Sequence, residues 1–257
     1  MSPRASVAIM RHEFRVLMTD PSTFVFLIVM PLVMAALTKQ LFQGALAAEG
    51  FRGANGSEFA IPGMAVSFAA FGVGYAGFTF FRDHGWGTWD RLRATPASSL
   101  DLIAGKTVPV LLVTGLQLGL LFALGGPLLG LRVTGSGVAL AVTIVALALA
   151  LAAFGLAVTA VARTMQQLNA IGSVGGFAMA IIGGAFVPVS SMPDWAQAVA
   201  PVMPTYWAMK AFTSVILEGG GLGAVAVPAM MMLGFAVVFA LLVAAKFRLE
   251  DTKAYYG

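Results

Sequence analysis

The chain contains no cysteine and only two histidines, His12 and His84, in 257 residues. Disulfides are thereby excluded, and neither histidine has the second soft ligand nearby that a metal site needs. Charge is scarcer still where it matters. All 15 basic and 11 acidic residues fall outside six segments, 23–38, 61–81, 108–131, 138–162, 170–187 and 224–245. With no ionisable side chain in these segments, neither an intramembrane protease nor a proton- or sodium-coupled carrier has the groups it requires. A Gly-x-x-x-x-Gly-Lys-[Ser/Thr] loop for nucleotide phosphates is also missing, so any nucleotide-driven work needs another polypeptide.

What is present is hydrophobicity, 59 % of the residues. Crossing about 30 Å of hydrocarbon takes roughly 20 helical residues, with about 17 the practical minimum. Five of the charge-free segments reach that length, and 23–38 does so when extended by a residue or two. The runs are continuous rather than alternating, which predicts helices and not barrel strands. The expected architecture is an all-α integral membrane protein, one domain over 1–257 with spans near 22–41, 61–81, 106–131, 138–162, 168–187 and 224–246. Pro31, Pro109 and Pro127 mark candidate kinks. Of the basic residues, all but Lys39, Arg52, Arg132 and Lys210 fall on the side of the amino terminus, which predicts both termini in the cytoplasm.

Residues 1–21 carry Glu13 and Asp20 and no small-residue cleavage site, so no secretory signal is expected. Val7, Met10, Phe14 and Leu17 recur at helical spacing, with Arg4, Arg11, His12 and Arg15 between them. This predicts an amphipathic helix on the inner membrane surface, ended at Asp20-Pro21. The plainer alternative is a hydrated tail.

The glycines read as packing positions. Gly72-x-Gly74-x-x-Gly77 matches a dinucleotide fingerprint but lies within a span and lacks the strand-turn-helix setting. It and the pairs Gly115/Gly119, Gly126/Gly130 and Gly172/Gly176 predict close helix approach. Asn55-Gly56-Ser57 reads as a tight turn rather than a glycosylation acceptor.

The most distinctive stretch is polar and aromatic, from Arg82 to Lys106, between two apolar runs. A connection between spans needs no such content unless it meets a partner. Within it Thr88 is placed to cap a short helix, Asp90 favours the positive end, and Arg91 and Arg93 follow before Pro96 stops it. Trp89 and Leu92 share one face, and Ser98 with Asp101 predicts a capping box for the next helix.

Read together, Arg82-Asp83, Gly87-Thr88-Trp89-Asp90-Arg91-Leu92, Thr95-Pro96 and Gly105-Lys106 resemble the signature of ABC-2 type permeases, the membrane subunits of type V ABC exporters. Trp89 and Asp90 stand where that family commonly has Leu and Glu. The amphipathic start before Asp20-Pro21 is similar to the family's elbow helix. The stretch from Val187 to Trp195, followed by Pro201 and Pro204-Thr205-Tyr206-Trp207, resembles its re-entrant helices. The form is nearest the daunorubicin-type drug and lipid export branch.

The resemblance implies a permease in a bacterial inner membrane that exports a hydrophobic or amphipathic drug, antibiotic or lipid-like substrate. It implies two cytosolic ABC ATPases as partners, which bind the ATP and magnesium, and a second permease copy. This chain itself would have no catalytic residues, cofactor, metal or nucleic acid. Residues 82–105 become the coupling loop, with Arg82, Asp83, Gly87, Thr88, Trp89, Asp90, Arg91, Leu92, Arg93, Thr95 and Pro96 at the ATPase contact. By the same analogy the first, second and fifth spans line the substrate path, with Pro31, Phe68, Phe177, Gly183 and Gly184 as candidate positions. A passive channel or scaffold without an ATPase is the competing class. A lipid-modifying enzyme is disfavoured by the missing intramembrane acids, bases and metal ligands.

Overall fold

The computed structural model describes residues 3–19, 25–88, 94 and 98–246. No strand occurs among them. The amphipathic segment forms helix α1, Pro3–Thr19. A π-helical turn, Val25–Val29, leads into α2, Met30–Ala48. Pro31 is the second residue of α2, directly after the π-helical turn. Next come α3, Ser57–Phe71, and α4, Gly74–Gly85. Helix α5, Ser99–Leu129, opens with the expected capping box: Ser98 Oγ accepts from Asp101 N at 3.2 Å, and Ser98 N donates to Asp101 Oδ2 at 3.0 Å. Pro109 and Pro127 both lie inside this one continuous helix.

Helix α6 is Gly137–Val161, with Ser136 Oγ accepting from Ala139 N at its start. A short α7, Met165–Asn169, a second π-helical turn, Ala170–Val174, and α8, Gly175–Ile182, follow one another directly. Short helical pieces then lead through α9, Asp194–Val199, to α10, Pro204–Ile216, and α11, Leu222–Lys246.

Among the described residues four helical stretches are long and apolar enough to cross a membrane: Val25–Ala48, Asp101–Leu129, Gly137–Val161 and Leu222–Lys246. The segments expected as spans at 61–81 and 168–187 are each interrupted. In the first, the chain turns at Gly72 and Val73, whose N–H groups donate to Phe68 O at 2.9 Å and Ala70 O at 3.3 Å. In the second, the π turn intervenes.

Helix α3 is the centre of the molecule. From Ser57 to Ala70 every residue but Phe68 is buried, because beyond Glu58, which accepts from Asn55 N at 3.0 Å, its surface is apolar or small all round. It packs on α2, α5, α8 and α10. Its partner across the core is the 165–185 stretch, which runs antiparallel to it at backbone contact. A methyl group placed on Gly176 would overlap the Ala70 carbonyl oxygen, one on Gly63 the Ala185 carbonyl oxygen, and one on Gly172 would lie 3.0 Å from Gly74 Cα. Small residues allow this approach, and dispersion between the backbones rewards it. Gly172 and Gly176 thus have the packing role expected of them. Gly115 and Gly119 do not, since a methyl at either would meet nothing within 4 Å.

At the far ends of α2 and α5, Asn55 makes the tight turn foreseen from its sequence. Its Oδ1 accepts from Ser57 N at 2.8 Å, and its Nδ2 donates to Gly130 O at 2.8 Å.

Candidate functional site

Two features stand out, one at each of two levels of the bundle. The first is a set of four charges buried where α1, α4 and α5 meet. Glu13 comes from the middle of α1, Arg82 and Asp83 from the last turns of α4, and Lys106 from the second turn of α5. All four are buried, Lys106 to 1 % exposure and Glu13 to 3 %.

The geometry satisfies nearly every group. Arg82 Nη2 donates to Glu13 Oε2 at 2.7 Å. Lys106 Nζ pairs with Glu13 Oε1 at 3.0 Å and Asp83 Oδ2 at 2.5 Å, and donates to Thr79 O at 2.9 Å, so its three protons are engaged. Asp83 Oδ1 accepts from Thr88 Oγ1 at 3.1 Å. Two cations face two anions, and that balance is what makes burial tolerable. Arg82 also lies over the Trp86 ring and Lys106 over Phe80, at 5.4 and 5.3 Å from the centroids. A cleft of about 340 Å3 opens beside the cluster, lined on the α1 side by Ala8, Ile9 and His12.

Local sequence explains how Asp83 and Thr88 are presented. Thr88 N donates to Asp83 O at 3.0 Å and Gly87 N to His84 O at 3.3 Å, the two bonds of a Schellman cap. Gly87 supplies the left-handed residue it needs, with φ at 67°. Thr88 therefore closes α4, and the short helix expected after it lies outside the described residues. Arg82 and Asp83 turn inward, away from any outer surface, while Trp86 is 68 % exposed. Trp89, Asp90, Arg91, Leu92, Arg93, Thr95 and Pro96 lie outside the described residues.

Glu13 was not among the sequence-derived candidates. It is the one acid in α1, set among Arg11, His12 and Arg15, and no neighbour in the chain marks it for burial. Glu13 is buried against the bundle while Val7, 58 % exposed, and Phe14 stay on the outer side of α1. That is the reverse of a helix on a soluble core, and it suits a lipid surface.

The second feature lies further along the bundle, where the interruptions of three helices adjoin. Leu27, in the first π turn, reaches the Gly72 break, and Gly74 just beyond that break touches Gly172 in the second π turn. Around them runs a string of rings. Phe26 is 5.4 Å from Phe68 and 5.7 Å from Phe71 between centroids, Phe71 is 6.5 Å from Phe177, and Phe177 is 5.2 Å from Phe186. Phe68 and Phe177, singled out from sequence, are joined here through Phe26 and Phe71. Phe26, Phe71 and Phe177 remain partly exposed. Pro31 is buried at the start of α2, one residue beyond Met30.

Gly183 and Gly184, the remaining candidate positions, lie at the end of α8. Gly184 N donates to Ile181 O and Ala185 N to Ala180 O, so the pair terminates α8 in a Schellman cap, with Gly184 at φ 89°. Thr205 Oγ1 donates to Met179 O against this cap, tying α10 to α8.

Long apolar helices packed around a largely buried α3 define a multi-pass helical membrane protein. The family model for ABC-2 type transporters matches residues 4–217, and the chain belongs to that family. Such proteins are membrane components of transporters, not catalysts in themselves. The chain is 27 % identical over 133 residues to the linearmycin resistance permease protein LnrN of Bacillus subtilis (strain 168), covering 52 % of this chain and 34 % of that protein. It is 29 % identical over 147 residues to the probable multidrug ABC transporter permease YbhR of Escherichia coli (strain K12), covering 57 % of this chain and 40 % of that protein. The matches thus span well under half the length of either relative.

Proposed function

We propose that the protein is the permease subunit of an ATP-driven exporter that moves a hydrophobic or amphipathic substrate, of drug, antibiotic or lipid-like character, out of the cytoplasm or inner leaflet. Its working unit is two permease copies with two cytosolic ABC ATPases, in a bacterial inner membrane. Six spans cross that membrane, the four long helical stretches plus the interrupted 57–85 and 165–182 stretches. Both termini and the 82–105 connection are cytoplasmic.

The observation that carries this reading is the buried charge cluster. It joins α1, α4 and α5 at the point where the 86–98 connection leaves the bundle, so a force applied to that connection reaches two spans and the surface helix together. A passive pore has no use for such a joint. The names of the two relatives support the drug-like substrate class, and the partly exposed phenylalanine string supports an apolar path. By this reading Trp89 and Leu92 fill a groove on the ATPase while Asp90, Arg91 and Arg93 set its orientation.

The test is co-reconstitution with a candidate ABC ATPase that co-purifies with this chain. Substrate-stimulated ATP hydrolysis and ATP-dependent export across a panel of amphiphiles are expected, both lost in Trp89→Ala/Leu92→Ala. Transport that proceeds without ATP, or unchanged coupling in the double variant, would establish the channel reading instead.

A further inference from the structure

At the end of the bundle remote from the charge cluster lies a second cleft, of about 260 Å3. Chain direction puts it there: α2 starts near α1 and ends at Ala48, and α3 returns from Ser57. Leu46, Phe59 and Met209 form an apolar floor, all three buried. The rim carries Glu49, Lys210 and Glu218, all exposed.

These three charges do not neutralise one another. Lys210 Nζ sits 5.4 Å from the centroid of Trp207, one turn back on α10, drawn onto the aromatic face. Among the described residues neither Glu49 nor Glu218 has an ion-pair partner within 4.0 Å. Glu49 Oε1 accepts a hydrogen bond from Ser190 Oγ at 2.5 Å, which holds that carboxylate at the mouth and pins the end of α2 to the 189–191 turn. The rim is therefore net negative in a chain whose overall charge is +4.

Two demands must be met by one ligand. The carboxylates attract a cation, and the floor gains only from apolar contact. A bare metal ion meets the first demand alone, and no group of three His, Cys, Asp or Glu among the described residues is placed to hold one. An uncharged hydrophobe meets only the second. We infer that this cleft binds an amphiphile bearing a protonated primary amine, with the ammonium between Glu49 and Glu218 and the apolar body over Leu46, Phe59 and Met209. The same chemistry belongs to an aminophospholipid headgroup and to a small amine amphiphile. Binding here requires no transport, so the inference stands apart from the export reading.

The experiment uses the purified full chain in a neutral maltoside detergent and follows the fluorescence of dansylcadaverine, an amphiphile with one free primary amine. Its N-acetylated form is the uncharged control. Saturable binding is expected, about tenfold weaker for the acetylated form. Glu49→Gln/Glu218→Gln should weaken the amine to the level of the control without altering the control itself, and Lys210→Gln should tighten the amine. The three side chains are exposed, and an unchanged thermal midpoint checks that each variant is folded. In nanodiscs, displacement by phosphatidylethanolamine but not phosphatidylglycerol identifies the lipid headgroup as the source; displacement by neither identifies the small amphiphile. Equal binding of the amine and its acetylated form, or an unchanged double variant, would overturn the inference.

Discussion

Replacing Glu13 by Gln removes one of four buried charges while changing the side chain's volume very little. Lys106, 3.0 Å from Glu13, would keep Asp83, whereas Arg82 would lose the carboxylate it donates to at 2.7 Å, leaving one uncompensated positive charge in a largely buried site. Breaking a buried pair from one side costs about 3–5 kcal/mol. The adjoining cleft of about 340 Å3 offers the stranded cation some hydration, so the lower end applies, about 3 kcal/mol. At roughly 2–4 °C per kcal/mol for a chain of this size, the thermal midpoint of the purified protein should fall by about 6–12 °C. A double-mutant cycle isolates the charge. Lys106→Gln alone leaves Glu13 and Asp83 facing only Arg82, whereas Glu13→Gln/Lys106→Gln restores neutrality through Arg82 and Asp83. The double variant should therefore be more stable than the sum of the two single losses predicts, by about 1–3 kcal/mol. Additive losses, or a midpoint within about 1 °C of the native protein for Glu13→Gln, would refute the claim that electrostatic balance holds α1 in place.

Gly176→Leu should abolish folding or sharply lower the thermal midpoint, because the side chain would enter the Ala70 backbone, while Gly115→Leu should be tolerated within about 1 kcal/mol; monodispersity on size exclusion reads both. In intact cells, an impermeant thiol reagent should label a cysteine at the exposed Arg52 and not one at Ser98, since the chain has no cysteine of its own; the reverse pattern inverts the topology. Phe177→Gln places an amide in the middle of the phenylalanine string and should reduce substrate stimulation of the partner ATPase several-fold, with basal hydrolysis unchanged; an unaltered substrate response puts the path elsewhere.

Much was legible in the sequence because it depends on neighbours within a few residues. Apolar runs free of charge dictate helices in a membrane, since a backbone in lipid must satisfy its own hydrogen bonds. The Ser98 to Asp101 capping box and the Asn55 turn close over two or three residues, so composition and spacing were enough to place them. The helical character of Pro3–Thr19 likewise follows from its own periodicity.

Other properties depended on residues far apart in the chain. Glu13 meets Arg82 and Lys106 across separations of 69 and 93 residues, and nothing in residues 1–21 distinguishes an acid bound for a buried lattice from one bound for solvent. Arg82, Asp83 and Lys106 lie in the polar stretch of the sequence, and the packing of α1 against α5 is what buries them. Gly115/Gly119 and Gly172/Gly176 share one spacing, yet the first pair faces open space and the second touches backbone. The pattern states what a helix face permits, and the neighbour that arrives decides what it does. The meeting of the Gly72 break with two π turns is of the same kind: each interruption is local, but their adjacency arises from three helices packed side by side.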